Sequence, residues 1–231
     1  VGASVVNALS RWLKLEICRD GKKYVQEFES KEDKKGKVRG GVPKFSLKED
    51  GASVSTETKV TFMPDDEIFE TTEFNYDTIK IRLRELAYLN KGLTIKMVDL
   101  RPEKERDDTF YYEGGIAHFV EDLSKNKGPL FDKPVYFDVF YGDTEVEVAL
   151  QWTKGKEKSF VFTNGLHNSE GGTPLTGMKT AITTFMKKQF KGGFDGDMAR
   201  TGLVFAVACK TPNPSFANQT KTKINNPSLR G

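Results

Sequence analysis

Gln219, Thr220 and Lys221 could do chemistry on an anion. They lie in the run Pro214-Ser215-Phe216-Ala217-Asn218-Gln219-Thr220-Lys221, and from Lys210 to Gly231 the only charged residues are Lys210, Lys221, Lys223 and Arg230. Pro212 and Pro214 stop the preceding apolar run from continuing as strand or helix. The three residues are therefore expected on a cationic loop, free to reach out of their own domain. A lysine ammonium is a compact charge with three donors and suits a terminal phosphate oxygen. A merely solvated basic loop has the same composition. At the other end, Val1-Gly2-Ala3-Ser4-Val5-Val6-Asn7-Ala8-Leu9-Ser10 brings a glycine into a short helical pattern, with Ser4 near the N-cap position. Backbone N–H groups at such a junction favour phosphate.

Other reactive residues are sparse. His118 and His167, with Cys18 and Cys209 far apart, cannot be assembled into a zinc site by spacing, and no metal ligands are expected. The cysteines fall in apolar strand-like runs and are expected as buried thiols of a reducing, cytoplasmic compartment. His118 is expected as a surface or capping residue. Asp195, Asp197 and Glu170 stand near glycines, where carboxylates commonly make turns.

The elements that must position these groups need a large core, and 231 residues suffice for one large or two modest domains. Hydrophobic content of 37% with 17 Phe argues against disorder, and a net charge of +3 does not by itself announce nucleic acid. No apolar run approaches the ~18–20 residues that span a bilayer, and no signal-peptide pattern is present. The chain begins at Val1 in a stretch that already looks structured, so an N-terminal part is expected to be missing.

The pattern predicts strands at 12–18 and 24–28, joined by an Asp20-Gly21 hairpin turn. Residues 30–53 are expected as a mobile polar excursion whose charge-dense part, Lys31 to Arg39, could touch DNA. A half-buried strand over 56–62 ends at Pro64. An amphipathic helix runs from Tyr76 to Asn90, with Ile79, Leu83 and Leu86 as its apolar stripe. A strand over 93–98 follows, and the charged stretch 99–108 places the domain boundary near its end. Beyond it Gly114-Gly115 opens a helix with Ile116, Phe119, Val120 and Leu123 on one face. Strands 135–141 and 145–152 alternate around Gly142-Asp143, and a strand over 159–163 is expected to pair with them. Leu175, Met178, Ile182 and Phe185 define a helix. The last strand, 202–210, is apolar almost throughout and so central. Trp12 and Trp152 are expected in the core.

Six segments, in order, resemble the ATPase region of type IIA DNA topoisomerases of the DNA gyrase B type. They are residues 1–10, Arg82 to Gly92, Tyr112 to Ile116, Glu145 to Trp152, Glu170 to Thr173 and Phe216 to Lys223. The resemblance implies an α+β protein: the C-terminal part of a GHKL-type ATPase sandwich over 1–105, then a ribosomal-protein-like transducer domain over 106–231. That second domain is expected as a mixed sheet with helices on one face, and its nucleotide-sensing loop at 214–223. It implies an ATP-hydrolysing DNA topoisomerase that couples ATP binding to passage of double-stranded DNA, acting with a gyrase A-like cleavage subunit and as a dimer. By the match, Gln219 and Lys221 contact the γ-phosphate, Val1 and Gly2 are backbone parts of the phosphate lid, and Thr58 lies near the adenine. The general base, the Mg²⁺ ligand and the adenine-binding Asp are implied upstream of Val1, so the segment alone is expected to be inactive.

Two departures stand out: Glu57 replaces the family's glycine before Thr58, and Pro174 replaces a histidine after Gly-Gly-Thr. They fit a divergent relative, such as one carried by a phage or plasmid. The competing reading is a non-catalytic nucleic-acid-binding module on a ribosomal-protein-like fold. Another GHKL ATPase, of mismatch repair or chaperone type, is disfavoured by Arg82 to Gly92 and by the Gln219 loop.

Overall fold

The computed structural model describes residues 2–32, 38–190, 193 and 195–230. The chain divides into two compact units, Val1–Asn75 and Tyr76–Gly231. Contacts therefore group 76–105 with the second unit, whereas the family resemblance groups those residues with the first.

The first unit holds helix α1 (Gly2–Ala8) and strands β1 (Ser10–Arg19), β2 (Lys22–Glu32), β3 (Val38–Pro43), β4 (Lys48–Ala52) and β5 (Glu57–Pro64). The strands form an antiparallel sheet in the order β3-β2-β1-β5, with β4 also beside β2. Asp20 and Gly21 both take positive φ, 53° and 78°, giving the two-residue turn that matches strand twist. The stretch 30–53, expected as a loop, instead contains the end of β2 and all of β3 and β4. β4 is exposed along its whole length and is tied down by ion pairs from Lys22 to Glu49 at 2.8 Å and from Lys23 to Asp50 at 3.3 Å. A strand polar on both faces has no period-two hydrophobic pattern to betray it. Residues 33–37, the heart of the proposed DNA-contacting stretch, lie outside the described residues. Leu13 is buried but Trp12, expected in the core, is exposed, because successive side chains point to opposite faces of β1.

The second unit opens with α2 (Tyr76–Leu89) and the hairpin β6 (Ile95–Asp99) and β7 (Arg106–Phe110), then α3 (Gly115–Ser124). β8 (Val135–Tyr141), β9 (Thr144–Trp152), β10 (Lys158–Thr163) and β11 (Leu166–His167) follow, then α4 (Thr173–Gln189), α5 (Gly196–Arg200) and β12 (Leu203–Lys210). Pro227–Leu229 forms a last 3₁₀ turn. The five-stranded sheet has the order β11-β10-β12-β9-β8, with only β10 and β12 parallel. β12 is central, as its apolar run predicts. It also separates β10 from the β8–β9 hairpin, so β10 pairs with β12 and not with that hairpin as expected.

The α+β class and the mixed sheet are as anticipated, but the helices do not keep to one face. Val204, Ala206 and Ala208 of β12 pack with Tyr88 and Leu89 of α2 and with Ile116, Phe119 and Val120 of α3. Leu203, Phe205, Val207 and Cys209 pack on the other side against Leu175, Met178 and Ile182 of α4. A strand apolar at every position must be covered on both faces. On α4 the apolar stripe continues through Met186 while Phe185 is exposed, one residue off the expected face. Burial pushes the Cys209 thiol up to about 12, so it is an inert core group. Cys18 is half-buried, not fully buried as expected.

Among the described residues of this unit two carboxylates are buried, Asp99 and Glu147. Glu147 of β9 is 5% exposed, and its carboxylate accepts from Tyr136 Oη at 2.9 Å and pairs with Lys91 at 3.1 Å and Lys210 at 3.3 Å. Burial alone would raise its pKa, but the Tyr136 hydroxyl and the Lys91 ammonium outweigh that and hold it below the usual value. The folded carboxyl thus binds its proton less tightly than the unfolded one. Its contribution is complete above the unfolded value of about 4.3 and is lost as pH falls through the lower folded value. Glu147→Gln is expected to cost about 1–3 kcal/mol at pH 7 and to flatten the acid limb of stability below about pH 5, measured by urea denaturation across pH.

Candidate functional site

β12 delivers the chain at Thr211 into the cationic loop. Asn164, at φ 49° in the turn after β10, clamps that point: its Oδ1 accepts from Thr211 N at 2.9 Å and its Nδ2 donates to Thr211 O at 2.8 Å. The loop is not the free arm that its prolines suggest. It folds back on itself, with Ala217 N donating to Lys223 O at 2.9 Å and Asn225 N to Ser215 O at 2.8 Å. Asn226 braces the base, accepting from Ser215 N at 2.6 Å and donating to Asn213 O at 2.9 Å.

The tip is built around Asn218. Its Oδ1 accepts from Thr222 N and from Thr220 Oγ1, both at 3.1 Å, and its backbone O accepts from Lys221 N at 3.1 Å. Its Nδ2 donates to Thr222 Oγ1 at 2.7 Å, which in turn donates to Glu170 Oε1 at 2.6 Å. Side-chain bonds of this kind let Asn hold a turn that the backbone alone would not keep. Gln219, Thr220 and Lys221 remain exposed at the apex. Lys221 takes φ 59°, a conformation that costs a non-glycine residue about 1–2 kcal/mol. Its ammonium lies 5.6 Å from the Phe216 ring centroid, and among the described residues it has no carboxylate partner.

Glu170-Gly171-Gly172-Thr173 runs alongside this loop. Glu170 N donates to Thr222 O at 2.9 Å, Ile224 N to Gly171 O at 3.1 Å, and Thr173 N to Ile224 O at 3.1 Å. Gly171 and Gly172 have φ of 66° and 116°, and a Cβ on Gly172 would collide with the Ile224 carbonyl oxygen. The glycines are needed both for backbone conformation and for the close approach of a second chain segment. Pro174 fills the first turn of α4, where its missing N–H has no helical partner to lose.

Comparison with known proteins bears on what this loop serves. A family model described as DNA gyrase B matches residues 115–231, about half of the chain. The gyrase B subunit of Staphylococcus epidermidis is 41% identical over 241 aligned positions, which cover all of this chain and 36% of that protein. The chain belongs to the DNA gyrase B family. The 43K ATPase domain of Thermus thermophilus gyrase B, solved in complex with an aminocoumarin, is 34% identical with a TM-score of 0.78. The match covers 99% of this chain and 62% of that one. The topoisomerase IV ATP-binding domain of Francisella tularensis, solved with a small-molecule inhibitor, is 26% identical with a TM-score of 0.75, covering 98% of this chain and 61% of that one. The chain thus spans about a third of the length of the staphylococcal relative.

The residues expected to contact nucleotide are divided between the two units. Gln219 and Lys221 come together at the apex of the loop in the second unit. Gly2 opens α1 in the first unit, with open space where a Cβ would stand. Thr58 is exposed on β5, opposite Ile17 of β1. Val60, two residues on and so on the same face, lines an apolar groove of about 360 Å³ with Ala3, Val6, Leu13 and Phe28. The groove thus joins the neighbours of Gly2 and Thr58 within one unit. Glu57, the departure beside Thr58, pairs across the edge with Cys18 and is exposed. Val1 lies outside the described residues. His118 packs edge-on against Tyr112 at 5.3 Å, Asp195 caps α5 through Met198 N at 2.7 Å, and Glu170 holds Thr222. No group of three or more His, Cys, Asp or Glu among the described residues is arranged to hold a metal ion.

Sequence reasoning singled out both the Glu170 motif and the Lys221 loop but did not foresee that they touch. Asn164, Asn168 and Asn218 went unremarked as bracing residues. An asparagine in a polar run looks like any turn residue, and only the partner across the fold gives it a role. Gly172→Ala is expected to destabilise the second unit by more than about 2 kcal/mol, seen as a lowered unfolding midpoint, with Gly155→Ala, where φ is not positive and a Cβ would meet only side-chain atoms at 3.3 Å or more, as the milder comparison.

Proposed function

We propose that this chain is the ATP-binding and energy-transducing segment of an ATP-dependent type II DNA topoisomerase, coupling nucleotide binding and hydrolysis to passage of double-stranded DNA. The observation that carries this reading is the Lys221 ammonium, without an ionic partner among the described residues and presented on a braced apex. A cation preorganised in this way binds a terminal phosphate without first breaking an ion pair. Gln219 at the same apex supplies a second polar contact to the γ-phosphate. Gly2, with Val1, offers backbone N–H groups to the phosphates, and Thr58 stands on the adenine side of the groove beneath α1. Family membership supports the nucleotide, the DNA, a gyrase A-like cleavage subunit, a dimer and a cytoplasmic setting.

Hydrolysis needs a carboxylate within reach of the attacking water. Glu170, which adjoins the apex, is occupied by Thr222, so the general base comes from outside this loop. The described residues likewise offer no clustered ligand set for Mg²⁺. In this reading the segment by itself is inactive as an ATPase, as the family resemblance implies, and its two domains meet near residue 105. Lys221 acts as a sensor: a contact made only when the terminal phosphate is present biases the loop between two states. One charge-assisted hydrogen bond is worth roughly 1.5–3 kcal/mol, enough to shift a two-state balance by one to two decades.

Replacing Lys221 separates this from the nucleic-acid-binding module. In the full-length protein, Lys221→Ala is expected to lower ATP turnover by about 10- to 100-fold while DNA affinity, measured at fixed salt, stays within about twofold. Intact turnover with a clear loss of DNA affinity would favour the binding module instead.

A further inference from the structure

Beneath the apex lies a residue outside every motif recognised in the sequence. Asn168 is 1% exposed and follows β11. Its Nδ2 donates to the Lys221 carbonyl oxygen at 2.7 Å, and its Oδ1 accepts from the Thr163 hydroxyl at 2.6 Å. Its backbone N donates to Val161 O and its backbone O accepts from Gly171 N, each at 2.8 Å. The amide orientation follows from chemistry: a backbone carbonyl can only accept, so the NH₂ must face Lys221. A buried amide is costly unless each of its groups is paired. The NH₂ of this one is paired through the Lys221 carbonyl.

We propose that Asn168 is a positioning residue for the Lys221 ammonium, the inference resting on the phosphate-sensing reading of Lys221 given above. Two tethers fix the backbone of Lys221. Its N–H is bound to Asn218 O, and its carbonyl is drawn inward by Asn168. Between them they hold the left-handed conformation at φ 59°, which a free lysine would leave. The side chain stays exposed and starts from one fixed Cα–Cβ direction. Ordering it in advance removes an entropic cost from phosphate binding. Asn168 also ties three segments into one: β10 through Val161 and Thr163, the Gly171 run, and the loop. Movement of the loop is thereby felt at the central sheet.

The test is a double-mutant cycle in the full-length protein, reading calorimetric affinity for a non-hydrolysable ATP analogue against ADP, with ATP turnover alongside. Asn168→Ala is expected to lower the triphosphate preference by roughly 5- to 10-fold and leave ADP affinity unchanged. Combined with Lys221→Ala it should add nothing further. Hydrogen exchange at the Thr222 amide should quicken in the single variant. If the alanine variant does not fold, Asn168→Ser carries the same expectation, keeping a hydroxyl for Thr163 but stopping short of the Lys221 carbonyl. Additive effects, or an equal loss of ADP affinity, would overturn the positioning role and leave Asn168 a structural residue. A Lys221→Ala protein with its triphosphate preference intact removes the sensing reading and this role with it. A normal Lys221 effect with no Asn168 effect removes this role alone.

Discussion

The second unit depends on one close approach, that of Gly172 to the Ile224 carbonyl. Without it the loop after β12 would be a proline-bounded tail, anchored at Thr211 and otherwise loose. With it, Thr222 to Ile224 become an added strand-like segment beside Glu170 to Thr173. The side-chain bonds of Asn218 and Glu170 then have a fixed frame to act on. Such hydrogen bonds are each worth only about 0.5–1.5 kcal/mol, too little to order a long loop singly. Acting on a segment already pinned by backbone contact, they select one conformation of the apex.

The same loop inherits its rigidity from β12. That strand is covered on both faces, and its final residue, Lys210, reaches Glu145 at 3.1 Å and Glu147 at 3.3 Å. Glu147 also binds Lys91, just past α2, and Tyr136 of β8. A carboxylate removed from water is tolerable only with such company. The result links the end of α2, three strands of the sheet and the entry to the loop through a single charged node. The Tyr88 and Tyr112 rings, stacked with centroids 3.6 Å apart, add an apolar link between α2 and the start of α3.

Much of this was legible in the residues. Asp20-Gly21 and Gly142-Asp143 announced their hairpins because turn chemistry is local. β12 announced its central place because its run is apolar almost throughout, and seven of its eight positions are indeed buried. The six family segments located the loop and the glycine motif. What was not legible depended on partners distant in sequence. Trp12 was misplaced because aromatic content says little about which face of a strand a residue takes. β4 was hidden by its polar, wholly exposed residues, and β3 by the glycines and proline in Gly40-Gly41-Val42-Pro43. The helices were assigned to one face although the continuous apolar run of β12 already required cover on two. The bracing asparagines carry no pattern at all: Asn168 meets Lys221 only once the sheet has formed.

Lys221 also carries a tension that bears on how such a protein could be altered. Glycine would adopt its left-handed backbone at no steric cost and asparagine at little. Either would relieve the loop, and neither could offer an ammonium. Selection for heat resistance alone would thus drift toward replacing the side chain proposed to meet the terminal phosphate, an instance of sturdiness bought at the expense of work.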